Sequence, residues 1–162
     1  MKIDIMKLKQ NIVDSLEVDE KVEFSEDALK TANIISTKNL NVNGYISKHE
    51  ATDYYLDLIL DGTIILPSSI TLKPVEIKIN TEISGNYNQM MEEIGEFSIN
   101  LNNSLDILPI IWENMLMEIP IKVTGPEATD LKLSGDGWKL VTEESDNKEE
   151  AVSPFDKLKN LL

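Results

Sequence analysis

The chain has 162 residues, no cysteine, 41% apolar residues and a formal charge of −14. That length and apolar share admit one core-forming domain of ordinary size plus a tail. The missing cysteines exclude disulfides, thiolate chemistry and cysteine-held zinc. A surface this negative repels phosphate backbones and anionic lipid, which disfavours general nucleic-acid and membrane binding.

Acidic residues are not confined to the tail. Glu143 to Glu150 holds five acids and one lysine, leaving −10 on the rest of the chain. Such a surface either serves solubility alone or attracts basic partners. No run approaches the roughly 18–20 apolar residues of a membrane span. Met1-Lys2-Ile3-Asp4-Ile5 lacks the apolar stretch of a secretory signal, so a cytoplasmic location is expected.

In chain order, the first element signal is Ser25, followed by Glu26 and Asp27, where acids favour the first turn of a short helix. Strand patterning then dominates. Leu40, Val42, Gly44 and Ile46 alternate with polar neighbours. Leu56, Leu58 and Leu60 follow, with Tyr55, Asp57 and Ile59 on the opposite face. Asp61-Gly62 is a turn signal, after which Thr63-Ile64-Ile65-Leu66 reads as a further short strand. Val75, Ile77 and Ile79 alternate with Glu76, Lys78 and Asn80, a period of two that makes one dry face and one wet face. Residues 89–95 suit a short helix, and Phe97, Ile99 and Leu101 repeat the strand pattern. Short connections favour antiparallel pairing throughout, because a parallel crossover needs a dozen or more residues.

The main helix is expected from Asp106 as N-cap, with Pro109 in the first turn, where a missing N–H is tolerated. Ile107, Ile111 and Met115, with Leu108, Trp112 and Ile119, give it an apolar stripe, and Pro120 ends it. Ile121-Lys122-Val123 returns to strand. Two short strands around Leu131-Lys132-Leu133 and Trp138-Lys139-Leu140-Val141 flank a hairpin turn at Ser134-Gly135-Asp136-Gly137. The expected fold is α+β: a mainly antiparallel sheet or partly open barrel, covered by one main helix. Residues 1–142 form this domain, 143–152 an acidic linker, and 153–162 a short amphipathic helix. Ser153 and Pro154 open that helix, and Phe155, Leu158, Leu161 and Leu162 share one face. A helix so short is marginal alone in water and needs a surface to dock on.

Catalytic constellations are absent from the sequence pattern. His49, the single histidine, lies between Lys48 and Glu50 in a polar stretch and suits a surface position. The seven glycines make neither a phosphate loop nor a dinucleotide fingerprint. Adjacent acids such as Glu92-Glu93 or Glu143-Glu144 do not face each other on a helix. Tyr45, Tyr54 and Tyr55 could stack bases, but alternation accounts for them as core and rim of a sheet. No cofactor, metal or small-molecule substrate is expected.

Several short motifs recur in a characteristic order. They are Val42-Asn43-Gly44-Tyr45-Ile46, Leu72-Lys73-Pro74-Val75-Glu76, Leu105-Asp106-Ile107, Glu118-Ile119-Pro120 and the closing Leu158-Lys159-Asn160-Leu161-Leu162. Together they resemble the YceD-like family, bacterial proteins linked to accumulation of large-subunit ribosomal RNA. Cysteines typical of that family fall at Ser68 and Thr71 here, so zinc and redox roles are not expected, and the two hydroxyls can instead bond the turn's own backbone. The resemblance implies a non-catalytic factor supporting 23S rRNA accumulation or large-subunit biogenesis, acting as an acidic adaptor. Its partner would be a basic ribosomal protein or pre-ribosomal particle. Expected contacts are Leu72, Lys73 and Pro74 at the turn, with Phe155, Leu158, Leu161 and Leu162 on the tail. The alternatives are an interaction scaffold unrelated to ribosomes, or a small carboxylate-based hydrolase, which would need converging acids in a polar cleft.

Overall fold

The computed structural model describes residues 1–49, 53–95 and 103–125, together with the paired backbone at Ser134–Gly135 and Trp138–Lys139. The chain divides into two compact units, Met1–Ala128 and Thr129–Leu162. In the second unit, the strands β7 (Ser134–Gly135) and β8 (Trp138–Lys139) pair antiparallel, so Ser134-Gly135, expected in the hairpin turn, is instead a strand paired through backbone bonds to the expected strand at Trp138–Lys139. The expected segments at 97–101, 131–133 and 140–141, the acidic linker and the tail helix lie outside the described residues.

The first unit is α+β, built on an antiparallel sheet of four strands in sequence order. These are β2 (Ser15–Lys21), β3 (Ser36–Lys48), β4 (Tyr54–Pro67) and β5 (Pro74–Asn86). The outer strands, β1 (Lys2–Asp4) and β6 (Ser104–Asp106), pair with each other in a separate ribbon, so the sheet does not close into a barrel. Alternation works as the sequence implies. Leu40, Val42 and Ile46 on β3, Leu56, Leu58, Leu60 and Ile64 on β4 and Ile79 and Ile83 on β5 are buried. Each such side chain contributes about 1.5–3 kcal/mol by leaving water.

Helices cover this dry face. α1 (Met6–Lys9) contributes buried Leu8. α2 (Glu26–Thr31) starts where Ser25 Oγ accepts the Ala28 N–H. α3 (Tyr87–Glu93) is capped by Asn86, whose Oδ1 accepts from the amides of Asn88 and Gln89. α4 (Leu108–Met117) packs on β5 and buries Ile110, Ile111 and Met115. Trp112 of α4 meets Phe24 edge-on, with ring centres 4.7 Å apart.

Four expectations for the first unit also need correction. Asp61-Gly62 is not a turn but the middle of the 14-residue strand β4. A hairpin there would pair the flanking runs with each other, whereas both are already held by β3 and β5. Gly62 has φ +154° and lies against Leu40 Cα, beside a register shift between Lys38 and Asn41. The glycine therefore kinks a long strand. Asp106 is not the N-cap of α4; Ile107 is. The Asp106 carboxylate instead accepts the Leu108 N–H at 3.2 Å, and the Met1 ammonium at 2.9 Å. α4 runs only to Met117, with Glu118 as C-cap, so Ile119, expected on its apolar stripe, lies beyond the helix; as the residue before Pro120 it resists helical geometry. Residues 121–123 form no strand. They are fastened by two bonds to Ser69: its amide donates to Val123 O, and its hydroxyl accepts the Val123 N–H.

Candidate partner-binding surfaces

The loop between β4 and β5 is the first candidate. Pro67 and Pro74 face each other across the hairpin, and the Ser68 amide donates to Lys73 O at 2.8 Å. Ser68 is only 1% exposed, and its hydroxyl accepts the amides of Ile70 and Thr71, both at 3.3 Å. Thr71 Oγ1 accepts the Lys73 N–H. The two hydroxyls thus bond the turn's own backbone, as their side-chain chemistry allows. Leu72 is forced to φ +58° at the tip and is 77% exposed. Lys73 and Pro74 are also exposed, so the three sequence-selected turn residues share one surface position. Phe155, Leu158, Leu161 and Leu162 lie outside the described residues.

The second candidate escaped selection from sequence. The outward face of the four-stranded sheet is organised in cross-strand rows. Glu17, Tyr45, Asp57 and Ser84 stand side by side; so do Asp19, Asn43, Ile59 and Glu82, and then Lys21, Asn41, Asp61 and Asn80. Five carboxylates and one lysine therefore occupy three adjacent rows. Tyr45 is 53% exposed, Ile59 40% and Tyr55 37%, giving this acidic face an apolar centre. Tyr55 OH bonds Ser84 Oγ, and the His49 ring lies 5.5 Å from the Tyr55 ring. Beyond the acidic rows, Lys38, Thr63 and Lys78 form a row where Lys38 pairs with exposed Glu76. The alternation of Tyr55, Asp57 and Ile59 was visible in the sequence, whereas Asp61 was read there as part of a turn. What it could not supply was the register that sets Glu17, Asp19 and Glu82 beside them.

Among the described residues, two phenols have shifted titrations. Burial raises the Tyr54 phenol above its ordinary value of 10.0. Tyr87 is raised mainly by burial too, although it donates to the Asp106 backbone oxygen. Among the described residues no group of three or more His, Cys, Asp or Glu is placed to hold a metal ion, and no helix is long and apolar enough to cross a membrane.

Fold and surface together define an acidic α+β protein with a wide polar-and-aromatic sheet face. The family model for the large ribosomal RNA subunit accumulation protein YceD matches residues 56–162, and the chain belongs to that family. It is also similar to "Uncharacterized protein YlbN" of Bacillus subtilis (strain 168), at 27% identity over 161 residues, covering 95% of this chain and 91% of the relative. No solved structure matches it.

Proposed function

We propose that the protein is a non-catalytic factor in large-subunit ribosomal RNA accumulation, and that it works as an acidic adaptor for a basic protein partner in the cytoplasm. The family name supplies the process. The adaptor role rests on one observation above the others: five carboxylates gathered around Tyr45, Tyr55 and Ile59 on the outward sheet face. Exposed aromatic residues supply contact area, while a ring of one charge sign steers and selects the opposite sign. A phosphate backbone meets repulsion on the same face. Ribosomal proteins or pre-ribosomal particles carrying exposed basic segments fit it.

The turn residues Leu72, Lys73 and Pro74, and the tail residues Phe155, Leu158, Leu161 and Leu162, are proposed as accessory contacts. In this reading residues 1–142 act as the adaptor body, 143–152 as an acidic spacer and 153–162 as an apolar hook. The test is gradient sedimentation of cell extract at low salt. The parent chain should co-migrate with precursor large subunits, and Asp57→Lys combined with Glu82→Lys should shift it to the free fractions. A parent chain found only as free protein refutes the proposal, and the ribosome-independent scaffold then takes its place.

A further inference from the structure

The cleft between the four-stranded sheet and the β1–β6 ribbon is flanked by backbone edges that are unpaired among the described residues. It has a volume of about 510 Å³ and is lined by Lys2, Ile3 and Asp4 on one side and residues 16–20 on the other. β2 is an edge strand, paired only with β3 among the described strands, and β1 is paired only with β6. The hydrogen-bond phase of each ladder says which backbone groups are left over. Val22 N–H donates to Leu40 O, so in β2 the even-numbered residues bond β3. Glu17, Asp19 and Lys21 then turn their N–H and C=O groups to the open side. In β1, Ile107 N–H donates to Met1 O, and Ile5 N–H to Asn103 O. Odd-numbered residues therefore face β6, leaving the backbone groups of Lys2 and Asp4 on the cleft side.

An exposed edge is a template for one more strand, and natural proteins blunt it with charge. Here the blunting has a sign. Asp4, Glu17, Asp19 and Glu20 outnumber Lys2 around the cleft. That pattern rejects a second copy of this chain, whose own charge is −14. It admits an extended segment whose side chains are positive, because opposite charges on adjacent strands attract and like charges repel.

Resting on the adaptor reading above, we propose that this cleft takes an extended, lysine- or arginine-rich polypeptide segment by strand addition to the outer edge of β2. Backbone bonds to Glu17, Asp19 and Lys21 hold the segment. The carboxylates of Glu17 and Asp19, on the outward face, select its basic side chains, and this edge continues the acidic face of the sheet. The recognised partner is thus a basic protein arm, with main-chain bonding giving affinity and alternate side chains giving specificity.

The probe is a fluorescein-labelled peptide of about eight residues, an ordinary strand length, alternating lysine and valine, with an alternating glutamate and valine peptide as control. Titrated into the full chain and followed by anisotropy, the basic peptide should bind and the acidic one should not. Asp19→Pro removes an outward N–H without touching the β2–β3 ladder, a position where proline is tolerated. It should weaken the basic peptide at least tenfold, whereas Asp19→Asn, which keeps that N–H, should weaken it less. Equal binding by Asp19→Pro and the parent overturns strand addition. Amide exchange of the unaltered chain is independent of how the variant folds: the peptide should protect the amides of Glu17, Asp19 and Lys21. Unchanged exchange there, or equal protection by single-stranded RNA, also overturns the proposal. Retained co-migration with precursor large subunits by Asp19→Pro, with loss in the Asp57→Lys and Glu82→Lys chain, would sink the cleft and leave the adaptor reading standing.

Discussion

Replacing Ser68 with alanine should loosen the β4–β5 hairpin by an amount that can be worked from its bonds. The hydroxyl is buried and accepts two amides, those of Ile70 and Thr71, at 3.3 Å each. Deleting it leaves both donors without that acceptor. Each lost bond costs about 1 kcal/mol where water can partly replace it, as it can at half-buried Ile70 and Thr71. The expected loss is therefore about 2 kcal/mol, within the typical range for removing a buried acceptor. With a urea m-value of about 2 kcal/mol/M, the midpoint falls by roughly 1 M. Thr71→Ala is the internal control. Its hydroxyl accepts a single longer bond, from the Lys73 amide at 3.4 Å on an exposed turn, so it should cost only about 0.5 kcal/mol. Equilibrium urea unfolding followed by circular dichroism gives both numbers. If the two variants lie within about 0.3 kcal/mol of each other, the turn is not held by the Ser68 hydroxyl.

Three further outcomes follow from other parts of the fold. Gly44→Val should prevent stable folding, because φ is +146° and a Cβ would press on the Asp57 carbonyl and lie 2.8 Å from Leu58 Cα; a loss of about 3 kcal/mol or more is expected, and a normal thermal melt would contradict the registered β3–β4 contact. Tyr54→Phe should be neutral or stabilising by about 1 kcal/mol, since the Tyr54 hydroxyl is buried with no hydrogen-bond partner. The same phenol makes stability depend on alkaline pH: its folded pKa lies above the unfolded value of 10.0, so its contribution is intact below pH 10 and lost as pH rises through the folded value, a loss that unfolding curves of Tyr54→Phe should show reduced. Lys38→Ala should change the unfolding free energy by less than about 0.5 kcal/mol, because its ion pair with Glu76 joins two side chains that are 55% and 61% exposed; a larger change would mean the pair is held more tightly than its exposure allows.

Local chemistry made much of this architecture legible in the chain itself. Period-two alternation at 56–60 and 75–79 marked strands and their dry faces, because a pleated strand sends successive side chains to opposite sides. Ser25 announced α2 and Pro109 the first turn of α4, because helix ends need acceptors and can spare one N–H. Ser68 and Thr71 were legible as turn-bonding hydroxyls for the same short-range reason. Asp61-Gly62 misled because a turn and a kink use the same residues, and only the ladders on both flanks of β4 decide between them. Tertiary structure alone joined Lys2–Asp4 to Ser104–Asp106 across about a hundred residues, and it alone set the register that collects Glu17, Asp19, Asp57, Asp61 and Glu82 on one face. Periodicity says which way a side chain points, but strand neighbours are chosen by long-range pairing, which leaves no local mark.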